Sequence, residues 1–231
     1  SKAFDNIKKG IERVTSEREG ATGVRSVVGR QAGVDIVLVQ VPPYPEAVAE
    51  VVSELYLFGV RRIISISRAY SIGRRMSQRP VVIAKAAIPL DSVSREISGE
   101  ELPLMPSSKM EYTFRSIAEL RFSDFNWVYG YTITVPTIYV RPLIEKIRKI
   151  AGKRGVVAVD TVTAALYALQ YEYTHLETLS LLVLAGHLDQ YASSSIARSL
   201  DEHSSIIEYI GRNETILYMV AIEILKRLRE A

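Results

Sequence analysis

The sequence predicts an α/β fold in a single domain, with a central mixed, largely parallel β-sheet flanked by helices. Three observations carry that expectation. Short apolar runs rich in β-branched residues recur along the chain, each of a length suited to a buried strand. Segments with helical apolar periodicity stand between them, the alternation that builds parallel crossovers. Proline and glycine are spread through the 231 residues without marking a linker, and no repeat or low-complexity tract breaks the pattern. A chain of this length can bury a substantial core as residues 1–231 of one unit.

The first strand is expected at residues 35–41 (Asp-Ile-Val-Leu-Val-Gln-Val), an apolar run suited to burial on both faces. It stops at Pro42-Pro43-Tyr44-Pro45. A helix follows: Pro45 suits a first turn, Glu46 lies near the positive end of the dipole, and Val48, Val51, Val52, Leu55 and Phe58 form one apolar stripe. Gly59 supplies a left-handed cap, and residues 62–67 are a second buried strand that completes a crossover. Further strands are expected at residues 81–88, 126–135, 156–160 and 180–185. Residues 92–108 read as a polar loop, residues 141–152 as a basic helix opened by Pro142, and residues 161–171 as an alanine- and leucine-rich helix. At the carboxyl end Asn213 reads as a cap and Glu214 as first-turn acid, ahead of an apolar stripe ending in Lys226, Arg227 and Arg229.

Composition removes whole classes of chemistry. With no cysteine there is no disulfide framework, thiolate metal site or Cys nucleophile. The three histidines, His175, His187 and His203, are too scattered to read as a metal site. No apolar run reaches the roughly 18 residues of a membrane span, and residues 1–6 lack a signal peptide's apolar stretch, so the cytoplasm is the expected location. Arginine outnumbers lysine 20 to 9 while Met, Asn and Gln are scarce, a mixed signal of life at high temperature.

The net charge of +3 hides one asymmetry. Between Glu54 and Asp91 no acid occurs, yet Arg61, Arg62, Arg68, Arg74, Arg75, Arg79 and Lys85 all fall there, which marks the stretch for an anionic partner. No continuous basic face interleaved with aromatics accompanies it, so nucleic acid is not expected. In α/β sheets ligands bind beyond the carboxyl ends of strands. That rule singles out residues 42–45, 68–70, 160–163 and 186–189.

Three local segments, read in order, carry a resemblance. They are Glu54-Leu55-Tyr56-Leu57-Phe58-Gly59-Val60-Arg61-Arg62-Ile63-Ile64, then Gly155-Val156-Val157-Ala158-Val159-Asp160, then the carboxyl helix over residues 214–225. Together with the order of elements from about Arg25 to Leu228, they resemble the nucleoside phosphorylase superfamily of purine nucleoside phosphorylase, uridine phosphorylase and the methylthioadenosine nucleosidases. The resemblance implies a phosphorylase-like fold and cleavage or binding of a nucleoside at its N-glycosidic bond. It also implies phosphate as co-substrate, no other cofactor, and assembly into dimers to hexamers, with itself or with a paralogous subunit.

Set against that resemblance, the active-site positions depart from the family pattern. Ser65 stands where members carry a phosphate-binding arginine, followed by Ser67-Arg68-Ala69-Tyr70 in place of a Gly-Thr-x-Gly loop. Val41-Pro42-Pro43-Tyr44-Pro45 replaces a Gly-rich loop, and proline removes donors that a phosphate cradle uses. The family's earlier strand, with its Gly-Asp-Pro loop, is expected ahead of Ser1. The ribose-holding Glu-Met-Glu motif aligns with Asp160-Thr161-Val162, and the Ser-Asp pair that protonates the leaving base aligns with Ala185-Gly186.

Five residues remain as candidates. Tyr139 aligns with the side chain that stacks on the base, or is a core tyrosine. Arg68, three residues past the lost arginine, either grips an anion or forms a surface ion pair. Asp160 and Thr161 hold sugar hydroxyls, or Asp160 caps the following helix. His187, beside the vanished aspartate, is the one candidate proton donor, with a structural role as its alternative. Two functions follow: a nucleoside phosphorylase or nucleosidase with a rebuilt site, or a catalytically inactive member kept for ligand binding or assembly. A third, an α/β protein for an anionic metabolite, rests on the acid-free stretch alone.

Overall fold

The computed structural model describes residues 2–20, 22–72, 81–99, 102–123, 125–138, 140–189 and 200–230. The chain opens with helix α1 (Lys2–Lys9) and an antiparallel meander of β1 (Arg13–Glu19), β2 (Arg25–Gln31) and β3 (Val34–Gln40). Gln31 pairs with Val34 across a two-residue turn in which Ala32 and Gly33 both have positive φ, 49° and 80°. That is the geometry whose twist matches a hairpin. β1 is exposed along nearly its whole length, so its sequence shows no alternation.

Helix α2 (Pro45–Leu57) begins with proline in its first turn and ends at Phe58, followed by Gly59 at φ +92°. The backbone N–H of Val60 returns to the Leu55 carbonyl at 2.9 Å, so the end closes in the left-handed manner expected of glycine. Beyond it lie β4 (Arg62–Ser71), β5 (Val81–Pro89), α3 (Ser92–Ser98), α4 (Ser108–Arg121) and β6 (Trp127–Thr134). The chain then continues through α5 (Arg141–Arg154), β7 (Val156–Asp160), α6 (Thr163–Glu172), β8 (Glu177–His187) and α7 (Leu200–Glu230). Five strands close into a barrel of order β4-β7-β6-β5-β8. β4 with β8, β5 with β6, and β6 with β7 run parallel, while β4 with β7 and β5 with β8 run antiparallel. The fold is therefore mixed α/β and flanked by helices, with three parallel pairings against two in the central barrel and a wholly antiparallel meander beside it.

Five expectations need correction. Residues 62–67 are only half-buried, the strand they begin runs on to Ser71, and it lies in a different sheet from β3, so no parallel crossover pairs the two. β3 is only partly buried and its partner β2 is antiparallel, because it belongs to the meander and not to a sheet covered on both faces. The polar stretch 92–108 contains α3, held by Asp91, whose carboxylate accepts the Ser94 N–H at 2.7 Å, and ended by Gly99 at φ +70°. β8 runs three residues further at its start and two at its end than its apolar run suggests. Asn213 and Glu214 lie inside α7, where Asn213 Nδ2 donates to the Tyr209 carbonyl at 2.8 Å instead of capping a start.

The core divides by the period-two alternation of β8. Leu182 and Leu184 join a cluster with Tyr167 and Val52, under α2 and α6. Leu181 and Val183 face Phe114 of α4 and Val220 of α7. A third cluster, with Ile133, Ile147 and Val159, seats α5 at the other end of the barrel. Gly130 of β6 permits the close approach of β7: a Cβ there would meet both methyls of Val157, one of them 2.7 Å away. Among the described residues no helix is long and apolar enough to cross a membrane, and no cluster of His, Asp and Glu could hold a metal ion.

Candidate functional site

Thr161 links two of the strand ends singled out above. Its hydroxyl donates to the Pro43 carbonyl at 2.7 Å, tying the loop after β7 to the loop after β3. Pro42 and Pro43 bring no N–H to this junction, and the Tyr44 N–H donates to the Pro42 carbonyl at 2.9 Å.

Asp160 ends β7 and is 1% exposed. Its Oδ1 accepts the Val162 N–H at 2.8 Å, the Thr163 N–H at 2.7 Å and the Thr134 hydroxyl at 3.2 Å. The Thr134 hydroxyl in turn accepts the Ala164 N–H at 2.9 Å. These bonds satisfy the free donors at the start of α6, the work a cap does. Oδ2 is buried with no hydrogen-bond partner among the described residues. Burial pushes the carboxyl above its ordinary value, against the lowering effect of the Thr163 and Val162 amides and the Thr163 and Thr134 hydroxyls.

His187 closes β8 opposite Ser71 of β4, and its side chain is 7% exposed. Its Nδ1 accepts the Asp189 N–H at 3.2 Å, which places the ring proton of the neutral form on Nε2. The Asp189 carboxylate lies 3.5 Å from Nδ1 and takes two bonds from Arg148 of α5, at 3.1 and 2.5 Å.

Arg68 stands on the same face of β4 as Ile64, Ile66 and Tyr70, the face against α7. Its Nε donates to Glu214 Oε1 at 3.0 Å; the guanidinium is half exposed and the carboxylate is 11% exposed. The ion-pair alternative for Arg68 is thus the arrangement found. Arg62 pairs likewise with Glu177 at 2.8 Å, while Arg61 lies over the Tyr56 ring at 4.1 Å. Long-range acids thus pair Arg62 and Arg68 of the acid-free stretch. Arg74, Arg75 and Arg79 lie outside the described residues, as does Tyr139.

Asp160 and Thr161 sit together at the end of β7. His187 is reached from them across β4, since Ser71 pairs with both His187 and Ala158. Two strand spacings and two residues put about 12 Å between the Asp160 and His187 backbones. Arg68 faces α7, away from both. Sequence reasoning missed Thr134, Asp189, Arg148 and Glu214 as partners. Only Asp189, two residues past His187, carried a local signal.

No family model matches the sequence, and no curated protein matches it. Solved structures do match in fold. The uridine phosphorylase of Vibrio fischeri, complexed with 6-hydroxy-1-naphthoic acid, superposes with a TM-score of 0.79 at 15% identity, covering 100% of this chain and 88% of that one. The purine nucleoside phosphorylase of Toxoplasma gondii, complexed with immucillin-H, gives 0.77 at 14% identity, covering 98% and 87%. The fold of this chain is that of the nucleoside phosphorylases.

Proposed function

We propose that this chain, built on the nucleoside phosphorylase fold, is a nucleoside-binding protein in which the family's bond-cleaving chemistry is silent. The fold, shared over almost the whole chain, supports the nucleoside as ligand. The junction of the loops after β3 and β7, with the Thr161 hydroxyl at its centre, is where the sugar would sit. One observation carries the silence: Asp160 is already committed to the α6 turn and Arg68 to Glu214. Cleaving an N-glycosidic bond requires a proton for the departing base and a stabilised, oxocarbenium-like sugar at the same moment. In this reading the protein is kept for ligand binding or for assembly, with copies of itself or with an active paralogue, and works in the cytoplasm.

A second reading is favoured by the Arg148–Asp189–His187 series. As an imidazolium, His187 would donate its Nε2 proton to the leaving base and return to the neutral ring, while phosphate, or water that gives up a proton to solvent, would bond to the sugar carbon as the carbon–nitrogen bond breaks, giving a sugar phosphate or a free sugar. The test is a panel of purine nucleosides and uridine, with and without phosphate, followed by melting temperature and by release of free base. A raised melting temperature with no base released is the expected result. Base release abolished by His187→Ala would establish the second reading, and no response to any nucleoside would overturn both.

A further inference from the structure

α2 and α5 occupy different parts of the molecule, α2 packed on α6 and α3, and α5 on β7. Their charges are one-sided and opposite. α2 carries Glu46, Glu50 and Glu54 and no basic residue, whereas α5 carries six basic residues against the single acid Glu145. Glu46, Glu50 and Glu54 are all exposed, as are Lys146 and Lys149 of α5. None of these five forms an ion pair among the described residues. Their neighbours are engaged, Arg148 by Asp189 and Glu145 by a partner of its own.

Neither set of charges helps its own helix. Glutamates four residues apart repel one another along α2. Glu54 stands in the last turn, at the negative end of the dipole, and no basic residue stands there to offset it. α5 has no acid in its first turn to answer its positive end. Beyond Glu54 come Leu57 and Phe58, 82% and 85% exposed, the two most exposed large apolar side chains among the described residues. α5 opens on apolar groups as well: Pro142 is exposed in its first turn, and Val140 just ahead of it is 48% exposed.

We propose that these two faces meet between copies of this chain, α2 of one copy lying antiparallel on α5 of the next. Helical period puts Glu46, Glu50, Glu54 and Leu57 on one face of α2, and Pro142, Lys146 and Lys149 on one face of α5. Leu57 lies seven residues after Glu50 and Pro142 seven before Lys149, so each face spans about 10.5 Å. In the antiparallel arrangement Lys149 meets Glu50, Lys146 meets Glu54, and Pro142 with Val140 meets Leu57 and Phe58. The negative end of α2 then lies against the positive start of α5. Charges set the register, and the apolar residues at the end of α2 supply the area removed from water. Because the two faces differ, the contact is heterologous and repeats from copy to copy.

This contact rests on the assembly of copies proposed above and needs no nucleoside. Sedimentation velocity tests it on the parent, on Glu50→Lys with Glu54→Lys, on Lys146→Glu with Lys149→Glu, and on an equimolar mixture of the two variants, each at low and high ionic strength. The parent is expected to self-associate, and less so as salt screens the pairs. Each two-residue reversal is expected to weaken association about tenfold or more, and the mixture to regain it, since each variant then offers the face the other lacks. All four positions are exposed, so each variant is expected to melt with the parent; where a reversal lowers the melting temperature, Glu50→Gln with Glu54→Gln takes its place and is expected to weaken association in the same direction. A parent that stays monomeric at every concentration would overturn both the contact and the assembly of copies. A parent that associates regardless of the reversals, or reversals that mixing does not rescue, would overturn the contact alone.

Discussion

Asp160 reads in sequence either as a sugar contact or as a helix cap, and in space its carboxylate is held by the turn that opens α6. An aspartate ending a buried strand is compatible with a ribose contact and with a helix cap, and only the direction of its side chain separates the two. That direction is set by Val162, Thr163 and Thr134, which together hold one carboxylate oxygen and leave the other buried and unpartnered. Because burial raises its pKa in the folded state, the folded chain holds this proton to higher pH than the unfolded chain does. Asp160 therefore favours folding at low pH, and that contribution is lost as pH rises from the ordinary carboxylate value of 3.8 through the raised folded value. Asp160→Asn keeps an acceptor for the two amides and removes the titration. Its melting temperature is expected to fall less than the parent's between pH 4 and pH 8. Asp160→Ala leaves two amides without their acceptor and should cost about 1–3 kcal/mol in urea unfolding. Gly130 is a second residue whose role is geometric. Gly130→Ala drives a methyl into Val157, which has no flexible end to swing aside, and an unfolding titration should show a loss of about 1–3 kcal/mol.

Elements were legible where one face is buried and illegible where none is or where length is set from afar. α2, β4, β5, β7 and α6 follow from apolar period, proline at a start and glycine at an end. β1 carries charged residues and is exposed almost throughout, and β2 buries only Val27 and Gly29 between polar residues, too short an alternation to distinguish strand from loop. α3 hides in a polar stretch because its signal is a cap, Asp91, and not a stripe. α7 is 31 residues long, and its first half lacks the apolar stripe that marks its second. Glu214 reads as first-turn acid until the fold brings Arg68 to it from 146 residues away. A double-mutant cycle of Arg68→Ala and Glu214→Ala is expected to give a coupling of about 1 kcal/mol, since the guanidinium is half exposed. The β2–β3 turn offers the opposite change: Ala32 holds φ 49° where a residue without strain fits better. Ala32→Gly should stabilise the chain by on the order of 1 kcal/mol in thermal or urea unfolding.

At the scale of the whole molecule, a near-neutral chain with one acid-free stretch folds so that distant acids pair Arg62 and Arg68 of that stretch, and the expected anion site becomes partly a set of internal ion pairs. The resemblance legible in three segments corresponds to a fold shared over nearly the whole chain at 14–15% identity. Fold survives such divergence because it rests on patterned burial, whereas a catalytic site rests on a few groups at one point. Here Asp160 is held by the turn that opens α6 and Arg68 by Glu214. Those partners follow from strand register and helix docking, neither of which is written locally. The central claim is that a nucleoside binds at the junction of residues 42–45 and 160–163 without being cleaved. Backbone amide NMR of the isotope-labelled chain, titrated with purine nucleosides and uridine, tests it most directly. Saturable shifts confined to those two segments and their neighbours are expected, with the nucleoside's own spectrum unchanged over hours. Shifts absent at millimolar nucleoside, shifts centred elsewhere, or the appearance of free base in the same tube would contradict it.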